Sequence, residues 1–238
     1  IGVFGGVSIL SGDVDANLFR GHKNAFPGHN FGLFVAKSWS YLFSTRLRYS
    51  TFTMLNFDNI ASTLTQNQRG QAGLTQYTPA ATIYHNSRTQ GHDLMFDAIF
   101  SIGNVKFHKE RTNVLFKVFP TIGVMINQTF LDQLDENGNA YDYQTLLNDV
   151  GNNVIEKKDV AKTLSNMRDG AYESHPEAVG NTILGGYSSS FVFGFGAGVT
   201  FRLTSWMYLD LESRQHFTSN DLLDGMRWSE PAGTGSSH

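Results

Sequence analysis

The chain contains no cysteine among its 238 residues, and charged residues make up only 16%, against roughly 25% in ordinary soluble domains. Without thiols there is no disulfide framework and no thiolate metal site. A net charge of −3 gives no hint of a nucleic-acid partner. No apolar run approaches the roughly 20 residues that a membrane-crossing helix needs. Neither His-Glu-x-x-His nor Gly-x-Ser-x-Gly occurs, so the short signatures of a zinc protease and a serine hydrolase are missing. The start at Ile1 rather than Met reads as a mature or trimmed chain whose signal peptide is gone.

What the chain does have is alternation. In residues 190–203, Phe191, Phe193, Phe195, Ala197, Val199, Phe201 and Leu203 share one face of a strand. Ser190, Val192, Gly194, Gly196, Gly198, Thr200 and Arg202 share the other. A long apolar row backed by glycine and small polar groups suits a strand with lipid outside and a packed lumen inside. A soluble carrier barrel would turn its apolar face inward and carry charge outside, and the glycine and serine row is too poor in charge for that.

Six further segments alternate: 2–10, 29–38, 41–52, 92–103, 113–127 and 206–217. The facing of the first is ambiguous, and Phe34 breaks the pattern of the second. Short connections (38–41, 104–112, 203–206) alternate with long ones (11–28, 53–91, 128–189). Transmembrane barrels connect their strands in this way. The expectation is an all-β, antiparallel, up-and-down transmembrane barrel in a single domain spanning 1–238. Eight strands are expected and seven are recognisable, because 218–238 reads as a fourth outer loop that stops before the last strand. Pro120 lies inside a strand and predicts a bulge or a locally missing ladder bond. Residues 154–169, with Val160, Leu164 and Met167 at helical spacing, predict an amphipathic helix ending near Gly170. It suits either a partner-binding element or a self-packed loop cap.

The inward rows collect Arg46, Arg48, Lys117, Arg202 and Arg214 against Asp93, Asp97, Asp210 and Glu212. Such a set can be an ion path or an internal salt-bridge network. The network is favoured, since a small barrel is only wide enough for its own side chains and buried charges must be paired. Trp39 and Tyr41 flank one short turn, and Trp206 and Tyr208 flank another, as an interfacial aromatic girdle would. Strict alternation puts Trp206 and Tyr208 on the Asp210 side, so a turn must re-aim them. Asp135, Asn137 and Asn139 loosely suggest a calcium loop. The glycine is out of place, though, and Leu146 stands where the bidentate acid belongs, so a plain turn is expected. His216 shares a row with Glu212 and Arg214 and reads as a lumen hydrogen-bonding group rather than an acid–base catalyst. No metal ligand set and no cofactor motif emerge.

Phe193 through Leu203, then Tyr208-Leu209-Asp210-Leu211-Glu212-Ser213-Arg214, then Asp221-Leu222-Leu223-Asp224-Gly225 together resemble the amino-terminal barrel of OmpA-like outer-membrane proteins of Bacteroidota. Val3-Phe4-Gly5-Gly6 and Phe100 through Val105 are similar to further strands of that family. The resemblance covers most of residues 1–228. It implies an eight-stranded barrel in the outer membrane of a Gram-negative bacterium, in contact with outer-membrane lipid. It also implies a periplasmic peptidoglycan-binding domain in many members, which is not seen here. Some members look like accessory subunits of barrel-insertion or secretion machines. The functional expectation is a non-enzymatic anchor or accessory subunit, with a small-solute or ion channel as the alternative.

Overall fold

The computed structural model describes residues 1–9, 28–57, 61–64, 74–78, 81–102, 113–152, 154–156, 159–172 and 187–218. Among them seven strands form one antiparallel sheet in chain order. These are β1 (Gly2–Val7), β2 (Gly28–Ser38), β3 (Phe43–Phe57), β6 (Asn86–Ser101), β7 (Val114–Leu131), β8 (Ser188–Arg202) and β9 (Tyr208–Thr218). β4 (Ser62–Thr63) and β5 (Thr82–Ile83) make a separate small hairpin. The main sheet curls through about 222°, a half-barrel with a concave and a convex face. The fold is therefore all-β and barrel-like. Among the described residues no helix is long and apolar enough to cross a membrane, which says nothing about crossing by strands.

Alternation decides which row turns inward. On β8 the phenylalanines Phe191, Phe193 and Phe195 stand exposed on the convex face, while Val192, Gly194 and Gly196 are buried. The glycine row is a packing device. A Cβ at Gly196 would collide with the Phe119 ring, and one at Gly198 would meet Glu212 and Lys117. Phe34 fits the same scheme, because its ring lies on the concave face under the Arg46 guanidinium, 5.3 Å away. The ambiguous first strand is resolved likewise: Arg48 lies 5.2 Å over the Phe4 ring while Val3 is exposed.

Pro120 interrupts the β6–β7 ladder without a bulge. Pairing skips Ala98 and Ile99 and resumes in the same register at Phe100 with Val118. On its other side Pro120 stays paired with Phe195. The missing N–H costs one local contact and no slip.

The middle strands outgrow the alternating apolar segments. β3, β6 and β7 continue past them through Phe57, Asn86 and Leu131, and in the added start of β6, Asn86 to Gln90, polar residues stand on both faces and hydropathy carries no signal. The taller strands carry a cap. Leu64, Leu74, Tyr77, Ile83, Tyr84, Leu131, Tyr141, Tyr143, Leu146, Val160 and Leu164 form one buried core shared by both long connections. Two helices close it, α1 (Tyr143–Gly151) and α2 (Val160–Met167).

The predicted helix is shorter than expected at its start. The amides of Val154 and Ile155 are held by the Asp149 carbonyl, at 2.8 and 3.2 Å, as the chain leaves α1. α1 itself goes unseen in the sequence reading. Its signals were there: Asp142 caps it by accepting from the Thr145 amide, and Leu146, Leu147 and Val150 follow at helical spacing. Asp135 forms a plain turn, accepting from the Asn137 and Asn139 amides at 2.9 and 2.7 Å. Gly138 there takes a φ of +78° that favours glycine. The connections predicted at 11–28 and 104–112, the loop at 218–238 and the Asp221–Gly225 motif lie almost wholly outside the described residues.

Candidate functional site: a filled concave face

Four strands, β3, β6, β7 and β9, deliver the charges. Arg46 on β3 donates through Nε to Asp97 of β6 at 2.7 Å, and through its two Nη atoms to Glu212 of β9 at 2.8 and 3.1 Å. Arg214 on β9 donates to both Asp97 oxygens at 3.1 and 3.0 Å, and to Glu212 at 2.6 Å. Lys117 on β7 reaches Glu212 at 2.6 Å and Asp210 at 2.9 Å. Thr121 donates to Asp97 at 2.7 Å, and Thr200 on β8 donates to Asp210. Arg46 is 4% exposed and Asp97 0%, so the two ions sit out of water and depend on each other.

The network is built around a ring. Phe119 is buried, with the Arg214 guanidinium 4.4 Å and that of Arg46 5.3 Å from its centre. Two like charges thus share one ring while carboxylates bridge their edges. Phe119 escaped the sequence reading, although its odd number places it in the row of Lys117 and Thr121.

Further along the concave face toward the cap, Ser50 donates to Asp93 at 2.7 Å, and Arg48 stands 3.9 Å from the same carboxylate. An apolar layer follows, made by Phe52, Met95, Met125 and Val192 with Met54 packed against them. These residues stand in the inward rows, outside the apolar alternation that marks the strands in the sequence. Beyond the layer, Thr89 and Thr129 share a hydrogen bond at 3.0 Å, and the cap begins.

Arg202 does not join the network. It is exposed at the rim, and its Nε contact is the Thr204 carbonyl at 3.4 Å. The cause is its place at the last residue of β8, where the turn to β9 competes for it. His216 lies on the concave row, next to Gly194 across the ladder. Among the described residues no group of three or more His, Asp or Glu side chains is placed to hold a metal ion.

The four rim aromatics are all exposed. Trp39 donates its indole N–H to Thr45 at 2.9 Å and carries the Lys37 ammonium 4.0 Å over its ring. Trp206 lies in the turn where Thr204 Oγ1 receives the Trp206 and Met207 amides, so the turn re-aims it. Tyr41 lies in the opposite turn between β2 and β3. Tyr208 keeps the alternation of Asp210 and Glu212 and belongs to the concave row, at its end.

At the cap, two groups are buried with their hydrogen bonds. Asp132 accepts from Asn86 and Tyr141 at 2.9 Å each, and its burial raises its carboxyl above the usual range. His85 Nε2 and the Ser62 hydroxyl form a hydrogen bond at 2.5 Å, while Nδ1 is buried with no partner among the described residues. Burial first, and then the Arg168 charge, lower the His85 imidazole from 6.5 to about 4.

Fold and site together define an all-β, barrel-like protein whose concave side is closed by its own ion pairs and apolar side chains. Comparison with family models, with curated proteins and with solved structures gave no match.

Proposed function

We propose that the chain is a non-enzymatic barrel of a Gram-negative outer membrane, similar to the OmpA-like barrels of Bacteroidota, serving as an anchor or accessory subunit rather than a conduit. The observation that carries this reading is the filled concave face. The ion-pair cluster on Phe119 and the layer of Phe52, Met95, Met125 and Val192 occupy the path that a permeant solute would take. A small barrel whose lumen is packed with side chains gives strength and not passage.

The convex face supports the membrane part of the reading. Exposed apolar side chains run from Val114 to Ile126 on β7, and exposed to half-buried ones from Phe191 to Phe201 on β8. Those spans are close to the about 9–11 residues that a tilted strand needs to cross a bilayer. The rim aromatics Trp39, Tyr41 and Trp206 suit the interface at the short-turn end. The partners proposed are outer-membrane lipid and other outer-membrane proteins of an insertion or secretion assembly, which would meet the cap or the convex wall. Planar-bilayer recordings test the closed lumen, with no steady current expected. A stable open-state current would favour the alternative, a small-solute or ion channel.

A further inference from the structure

The two long connections that build the cap are bonded to each other on either side of His85. Tyr84, the residue before it, offers its carbonyl to Arg168 Nη2 at 2.5 Å and to Gln133 Nε2 at 3.0 Å, both from the second connection. Asn86, the residue after it, donates to Asp132, also from the second. His85 itself is 6% exposed and bonded to Ser62 of β4. The neutral ring fits this place. With Nε2–H donating to the Ser62 oxygen, a bare Nδ1 needs no partner, and it has none among the described residues. A proton on Nδ1 makes a buried donor with no acceptor, and sets a second cation beside the Arg168 guanidinium. The other titratable groups at the junction are Asp132 and Asp169 of the second connection and the buried hydroxyls of Tyr84, Tyr141 and Tyr143. None offsets the new charge. Burial raises the Asp132 carboxyl, so acid neutralises that carboxylate as it charges His85.

We propose that the cap is an acid-released lid: a proton on His85 parts the two connections and uncovers the polar end of the concave face, while the sheet stays closed. That end is floored by Asn56, Ser87, Thr89 and Thr129, all buried under the cap and none of them charged. The sheet does not need the lid, because β3, β6 and β7 pair through their own ladders along their whole height. The direction follows from the folded value of about 4 against 6.5. The lid is shut above pH 6.5 and is released progressively as pH falls toward 4. It works the same way whether or not the convex face lies in a bilayer.

The chain has no cysteine, so spin labels go only where they are placed. Thr63→Cys with Asn148→Cys puts one label on each connection, at exposed positions of β4 and α1. In detergent, double electron–electron resonance should give one narrow distance at pH 7.5. At pH 4.5 a longer, broader distance should replace it, and the change should reverse on return to pH 7.5. His85→Gln in the same pair should keep the narrow distance at pH 4.5. If that variant does not fold, His85→Asn takes its place. Leu33→Cys with Phe193→Cys, on the exposed convex face of β2 and β8, should give one distance at both pH values. An unchanged cap distance at pH 4.5, or equal opening without His85, overturns the proposal. So does a change in the sheet pair, which marks unfolding and not a lid.

Discussion

Single residues decide how the interior holds together, and Asp97 is the most exposed to loss. It is the acceptor shared by Arg46, Arg214 and Thr121 with no access to water. Asp97→Asn leaves two cations facing a neutral amide. The expected loss is about 3 kcal/mol or more of unfolding free energy, read by urea titration in detergent. Phe119→Leu keeps the volume roughly but removes the ring under both guanidinium groups, and should cost about 1–2 kcal/mol in the same titration. His85 gives a pH dependence. Its pKa is lowered on folding, so the neutral form is the folded one. The cap is fully stable above pH 6.5, weakens as pH falls from there toward about 4, and changes no further from this source below that. The loss is on the order of 3 kcal/mol, and amide exchange of cap residues at pH 7 and pH 4.5 should show it. The same comparison in His85→Gln should be much flatter.

Among the elements, the β-strands were legible and the cap was not. Strand periodicity is local: Phe191, Phe193 and Phe195 declare their face without reference to anything else in the chain. The cap core is non-local, because Leu74, Tyr77 and Ile83 share it with Tyr143, Leu146 and Leu164 from the other connection. Seen separately, each stretch lacks enough apolar residues to suggest a core. α1 depends on its first turn, where the Asp142 carboxylate is lowered by the hydrogen bonds it accepts from the Thr145 hydroxyl and amide. Asp142→Ala should loosen the cap, measured as faster exchange of the α1 amides or earlier proteolytic nicking near residue 143.

At the scale of the whole molecule, two faces of one sheet meet opposite surroundings. The convex face is apolar over a bilayer-like height, and the concave face pairs its ions or buries its methionines. If lipid meets the convex side, Phe193→Arg should lower stability by about 2–4 kcal/mol in liposomes. An equal penalty for Thr53→Arg, above the band on the same face, would contradict that orientation.

The sequence by itself determined which side of each strand is which, because a period of two leaves no choice once one row is apolar. It also collected the ions that meet on the concave face, Arg202 excepted, since residues in inward rows can only meet one another. Tertiary structure alone decided who pairs with whom, that two arginines share the Phe119 ring, and that two distant connections share one core. Those outcomes depend on ladder register and strand neighbours, which bring together residues such as Arg46 and Glu212 that no local pattern links.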